Sequence, residues 1–163
     1  MTQADNRTEL LAELRRALRR QSRTGSLVGI LFVDVDGLKA VNDSLGHAAG
    51  DRLIVRVADA LRSQVRQDDH VARVGGDEFV AALVGLRGVA DAEVIAAKIH
   101  RALNEPFDVD GRAVKSSVSI GIAMAKEGED VEHLLGRADR AMYEAKQSGR
   151  DATVVYGDSP MGE

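Results

Sequence analysis

Leu27-Val28-Gly29-Ile30-Leu31-Phe32-Val33 carries no polar side chain, and it runs directly into Asp34-Val35-Asp36. A run of this length, too short for a globular helix and rich in strand formers, predicts a buried strand from Leu27 to Val35. A buried strand seldom ends on a carboxylate unless a cation or hydrogen-bond donors meet it there. Asp34 is therefore the first candidate ligand, and whatever lies beside its end of the strand should matter to function.

The second constraint is Arg73-Val74-Gly75-Gly76-Asp77-Glu78-Phe79. Val71, Val74, Phe79, Val80 and Leu83 favour strands, so the stretch predicts strand, sharp turn, strand, with Gly75-Gly76 expected to supply the backbone freedom of the turn. The two glycines would leave a bare surface on which a phosphate or purine can approach the backbone. Asp77 and Glu78 set two carboxylates beside it. If the hairpin pairs with the first strand, Asp34 and Asp77 can share Mg²⁺, a hard cation that takes carboxylate, water and phosphate oxygens.

Between and around these segments the chain reads as alternating helices and strands. Leucines 10, 11, 14 and 18 give Thr8 to Gln21 a helical apolar stripe with arginines opposite. A short helix is expected from Gly37 to Leu45 with Asp36 as N-cap, and a longer one opens at Ala49-Gly50-Asp51. Val89 to Leu103 should be helical with Val94, Ile95, Ile99 and Leu103 inside. Phe107 to Val109 and Arg112 to Met124 flank Asp110-Gly111, a type I′ hairpin signal. A last helix starts at Glu129 or Asp130 and ends at Gly149, and Ala152 to Tyr156 forms an edge strand. This order predicts an α+β fold with a mostly antiparallel central sheet flanked by helices. The expected division is an amphipathic helix and connector over 1–24, a catalytic domain over 25–157 and a tail over 158–163.

Composition narrows the chemistry. The 163 residues include no cysteine, which removes disulfides, thiolate metal sites and a cysteine nucleophile together. A net charge of -4 argues against a nucleic-acid groove, whereas a mononucleotide needs only a metal and one or two local cations. No apolar run is long enough to span a bilayer and Met1 to Gln21 is charged throughout, so the expectation is a cytoplasmic piece whose parent is free to be membrane-anchored.

Five blocks then fall in register. Asp34-Val35-Asp36-Gly37-Leu38-Lys39-Ala40-Val41-Asn42-Asp43, Gly46 to Asp51, Arg73 to Phe79, Ser119-Ile120-Gly121-Ile122-Ala123 and Ala138 to Lys146 resemble, in order and spacing, the GGDEF family of bacterial diguanylate cyclases. The resemblance implies a ferredoxin-like core of the kind shared with nucleotidyl-cyclase and polymerase palm domains. It implies Mg²⁺ or Mn²⁺ held by Asp34, the Val35 carbonyl and Asp77, with Asp77 or Glu78 assisting deprotonation and Lys39 facing the phosphate charge. It implies GTP as substrate, read by Asn42 and Asp51 with His47 close by, approached by Gly75 and Gly76, and held at its phosphates by Lys146 and Arg150, four apart and expected on one face of the last helix turn. Arg66 and Asp69 match the family's Arg-x-x-Asp product-inhibition site for cyclic di-GMP. The activity it implies joins two GTP across a transient homodimer, and the Ala102 to Gly111 segment resembles domains followed by a phosphodiesterase EAL domain, so sensory or EAL partners are expected in a longer parent.

The match has departures. Met1 to Asp5, ahead of Asn6-Arg7, do not match the family's Asp-x-Leu-Thr-Gly-Leu lead-in, Gly37-Leu38 stands where many members carry phenylalanine second, and the common Gly-Arg-Asn ending is Gly149-Arg150-Asp151. Two other readings compete. Ile30 to Leu38 also resembles the first motif of haloacid-dehalogenase-type phosphatases, with Asp34 as nucleophile and Asp36 as general acid, which leaves the glycine hairpin unexplained. The other is a module that binds GTP or cyclic di-GMP without turnover, which the intact ligands at every matched position disfavour.

Overall fold

The computed structural model describes residues 3–157; the expected tail at 158–163 lies outside the described residues. Its elements are α1 (Gln3–Thr24), β1 (Leu27–Val35), α2 (Leu38–Leu45), α3 (His47–Gln64), β2 (His70–Arg73), β3 (Glu78–Leu86), α4 (Val89–Ala102), β4 (Phe107–Val109), β5 (Arg112–Val114), β6 (Val118–Met124), α5 (Val131–Gln147) and β7 (Ala152–Val155). The main sheet runs β2-β3-β1-β6-β7, with β4 and β5 as a separate hairpin. Three of its pairings are antiparallel, and only β7 joins parallel, beside β6. The strands β1, β2, β3 and β6 with the helices between them reproduce the ferredoxin-like order, which puts β1 at the centre.

The apolar run explains that place. Leu31, Val33 and Val35 point to one face, against Leu53, Val57 and Leu61 of α3 and Ala96 and Ile99 of α4. Val28, Ile30 and Phe32 point to the other, against Leu10 and Leu14 of α1 and Leu134, Ala138 and Met142 of α5. A strand with both faces covered needs apolar residues at every position. Leu10 and Leu14 are fully buried, so α1 packs as part of this second layer. At β6 the approach of α5 is so close that a Cβ on Gly121 would be driven into the helix backbone at Ala138 and Met142.

Several expectations change. The helix expected over Thr8 to Gln21 extends from Gln3 to Thr24. Arg112 to Met124 is not one strand: β5 ends at Val114 and β6 begins at Val118, because the first piece pairs with β4 and the second with β1. The Asp110-Gly111 turn forms as read, with φ of 52° and 86°. The buried side of α4 is Ala92, Ala96 and Ile99, with Val94 53% exposed, since close packing on the sheet selects the alanine side. Asp36 does not cap α2; Gly37 occupies that position, with φ 72°, and the Asp36 carboxylate turns toward β6.

Candidate active site

The register of β1 and β3 builds the site. Asp34 is paired opposite Glu78 and, on the other side, opposite Ser119. The connection 74–77 folds back so that Val35 N donates to the Asp77 carbonyl at 2.9 Å, while Val74 N and Gly75 N both donate to the Glu78 carbonyl. Arg73 ties the loop from below, donating to the carbonyls of Gly75 and Gly76 at 3.2 and 2.6 Å. Neither Gly75 nor Gly76 takes a left-handed conformation, so the expected role in turn freedom is replaced by one of space. A Cβ at Gly75 would crowd the Glu78 carboxylate at 2.9 Å, and Gly76 faces open volume.

Asp34, Asp77 and Glu78 each contribute a carboxylate oxygen to a group whose atoms all lie within 4.8 Å of one another. Lys146 from α5 reaches in, its Nζ 3.1 Å from Asp34 Oδ1, close enough for an ion pair but without hydrogen-bond alignment. That oxygen is buried and has no hydrogen-bond donor. Burial pushes the Asp34 carboxyl up to about 6; Lys146 opposes the shift, and the Asp77 and Glu78 charges add to it. Burial also raises Glu78, together with the charges of Asp139 and Asp77. Asp139, two turns before Lys146 on α5, lies near enough for its charge to act on Glu78, and burial raises its own carboxyl too. Three converging carboxylates, with one poorly aligned ammonium beside them, form a donor set suited to a hard divalent cation.

The other predicted residues fall at several places. Asn42 of α2 lies against Gly50 of α3, the residue before Asp51, and Gly50 is bare because any Cβ there would collide with the Asn42 side-chain oxygen. His47 is the first residue of α3 and is exposed. Lys39 extends into solvent and pairs with Asp43 at 3.0 Å. Arg150 does not share a helix face with Lys146, because α5 ends at Gln147 and Arg150 lies beyond it with φ 68°. Asp69 is turned inward: its Oδ2 accepts from Arg66 N at 2.8 Å and its Oδ1 from Val84 N at 3.0 Å. The Arg66 guanidinium donates through Nη2 to the Val84 carbonyl at 2.5 Å and is largely exposed.

Sequence reasoning gave no functional part to Asp139, nor to the partners of Asp36. The Asp36 carboxylate accepts from Ser117 Oγ and Ser119 Oγ, both at 2.7 Å, and from Asp151 N at 3.0 Å. A carboxylate held in this way by the chain's own donors, in a mostly antiparallel sheet, fits poorly with the general acid of a dehalogenase-type phosphatase.

Ferredoxin-like topology with a carboxylate trio where the central strand meets a glycine loop defines a nucleotidyl-cyclase-type domain. The comparisons make the class specific. The family model described as "Diguanylate cyclase, GGDEF domain" matches residues 1–152, and the chain belongs to the GGDEF family. It is 39% identical over 160 residues to the bifunctional diguanylate cyclase/cyclic di-GMP phosphodiesterase MucR of Pseudomonas aeruginosa, covering 98% of this chain and 23% of that protein. To the diguanylate cyclase TpbB of the same species it is 43% identical over 152 residues, 92% of this chain and 35% of TpbB. The chain thus spans about a quarter to a third of these relatives. The solved GGDEF domain of TpbB superposes with a TM-score of 0.88 at 41% identity, covering 92% of this chain and 88% of that one. The GGDEF domain of DgcB from Caulobacter crescentus, solved with cyclic di-GMP, gives 0.85 at 26% identity, covering 90% and 88%. Among the described residues no helix is long and apolar enough to cross a membrane.

Proposed function

We propose that the domain, residues 25–157 with α1 packed against it, is a diguanylate cyclase. In this reading the 3′-hydroxyl oxygen of one GTP bonds to the α-phosphorus of the other, the bond to the β-phosphate breaks and pyrophosphate leaves. The step occurs twice to give cyclic di-GMP. The observation that carries it is the meeting of Asp34, Asp77 and Glu78 within 4.8 Å at the end of the buried strand. Asp34, the Val35 carbonyl and Asp77 would hold Mg²⁺ or Mn²⁺, whose bound charge would offset the phosphates and favour the alkoxide.

The chain's own groups do the rest. Gly76 leaves the loop bare for close approach of the nucleotide, and Gly75 leaves room for Glu78 to turn toward the site. Glu78, its pKa raised by burial and by neighbouring carboxylates, is placed to exchange a proton with the attacking hydroxyl. Asn42 and Asp51, from α2 and α3 on either side of the helix junction, supply acceptors for the N1–H and N2–H₂ edge of guanine, with His47 near the start of α3. Lys146 gives up its contact with Asp34 for phosphate, joined by Arg150 and, once it leaves Asp43, by Lys39. One domain holds one GTP, so the reaction needs two copies facing each other. Arg66 and Asp69 would bind the product only if Asp69 exchanged its two backbone donors for ligand, which makes inhibition there dependent on opening of that loop.

The test is pyrophosphate release from GTP with Mg²⁺ over a wide protein dilution series. Turnover with a rate per protomer that rises with concentration supports a cyclase acting as a homodimer. GTP binding with no pyrophosphate at any concentration identifies a receptor instead. Release that is unchanged in Asp77→Ala would remove the assignment of this corner as the reaction site.

A further inference from the structure

The turn that carries Arg150 is unusual. Gly149, Arg150 and Asp151 have φ of 120°, 68° and 46°, so two consecutive residues with side chains sit in the left-handed region. Such backbone is costly and persists where the surroundings over-determine it. From below, Arg150 N donates to the Ala145 carbonyl at 3.1 Å. From the side of β1, Asp36 accepts from Asp151 N. From the opposite side comes His100 of α4, with Nε2 2.8 Å from Thr153 Oγ1 and Nδ1 3.3 Å from Asp151 Oδ1. The second approach is an ion-pair distance without hydrogen-bond alignment.

Asp36 lies two residues from Asp34, so the same short segment fixes one member of the carboxylate trio and one side of the turn. Arg150 itself is exposed and lines a cavity of about 400 Å³ with Asp36, Gly37, Lys115 and Ser116. Nothing in this arrangement holds the Arg150 side chain directly; it is aimed by its backbone, and the backbone is held by residues on either side.

We propose that His100 is a positioning residue for Arg150: by bracing Asp151 and Thr153 from α4, opposite the Asp36 contact, it holds the strained turn that presents the guanidinium to substrate phosphate. This rests on the reading of Arg150 as a phosphate arm. It makes α4, a helix with no residue in the predicted site, a support for substrate affinity.

The experiment measures affinity for α,β-methylene GTP with Mg²⁺ by titration calorimetry, in parent, His100→Ala, His100→Gln, Arg150→Ala and the His100→Ala/Arg150→Ala double variant. His100→Ala should weaken binding about five-fold, the effect of losing one positioning hydrogen bond. The glutamine, whose amide can still reach Thr153 or Asp151, should recover most of it. The double variant should bind no worse than Arg150→Ala alone, because His100 acts through Arg150. Additive losses, or full affinity in His100→Ala while Arg150→Ala is weakened, would overturn the proposal. If Arg150→Ala itself binds normally, the phosphate reading of Arg150 falls with it. Amide exchange then judges the brace separately: the Asp151 amide should exchange several-fold faster in His100→Ala, and unchanged exchange would show that His100 holds nothing. Should His100→Ala unfold, Asp151→Ala at a surface position removes the Asp151 side of the brace and should give a smaller change in the same direction; no change in affinity or exchange would count against it.

Discussion

The carboxylate corner at Asp34 and the loop at Arg66–Asp69 each hold an aspartate that the family resemblance gives to a ligand, the first at the end of an apolar strand and the second in a charged loop. In the folded chain they differ in what meets the carboxylates. Both oxygens of Asp69 are taken by backbone N–H groups of Arg66 and Val84, and its side chain is fully buried. The buried Oδ1 of Asp34 has only a misaligned ammonium, and two further carboxylates face it. A carboxylate satisfied by its own chain serves the fold first, whereas one left under-satisfied among like charges stores a demand that a ligand can meet.

The sharpest way to break this contrast is function. Asp77→Ala should lower GTP turnover at least ~10²-fold, the scale of losing one group that stabilises developing charge, with little change in melting temperature. Asp69→Ala should do the reverse in an unfolding experiment. Two backbone donors lose their charged acceptor, at a cost of ~2–4 kcal/mol. A loss of stability in Asp77→Ala larger than in Asp69→Ala would collapse the distinction.

A third carboxylate extends the comparison in pH. Against burial, which works to raise it, the Arg137 hydrogen bonds, Lys126 N and His133 hold Glu129 down to about 2 from 4.5. A depressed acid contributes stability that is present above its unfolded pKa and is lost as pH falls through its folded one. Parent protein should therefore lose roughly 3 kcal/mol between about pH 4.5 and 2, a loss that Glu129→Gln should largely lack. Asp34 has the opposite sign. Its carboxyl moves from 3.8 to about 6, so its favourable contribution is present below 3.8 and is lost as pH rises through about 6. In metal-free protein at pH 8, Asp34→Asn should be more stable than the parent by ~1–2 kcal/mol, and Mg²⁺ should raise the melting temperature of the parent but not of the variant. The smallest effect expected is that of Arg66→Ala, under ~1 kcal/mol in stability because the guanidinium is largely exposed.

What the sequence disclosed follows the same division between local and distant causes. β1 was legible because a strand covered on both faces needs no periodicity to be recognised, and Asp34 because a carboxylate at the end of such a strand is costly. The hairpin positions were legible, but the part played by Gly75 was not: it depends on where the Glu78 side chain turns. Arg150 was misplaced onto the last helix because spacing assumes the helix continues, and the left-handed turn after Gln147 is fixed by Asp36, more than a hundred residues earlier in the chain. The break between β5 and β6 was hidden for a similar reason, since each half answers to a different partner strand.

The bare Cα of Gly121 has a further consequence. It lets the α5 rod lie directly on β6, and the reach of Lys146 to Asp34 depends on that separation. A single methyl group added there would act as a spacer, lifting the whole rod away from the sheet and withdrawing the ammonium from the acidic pocket without altering any residue that touches it.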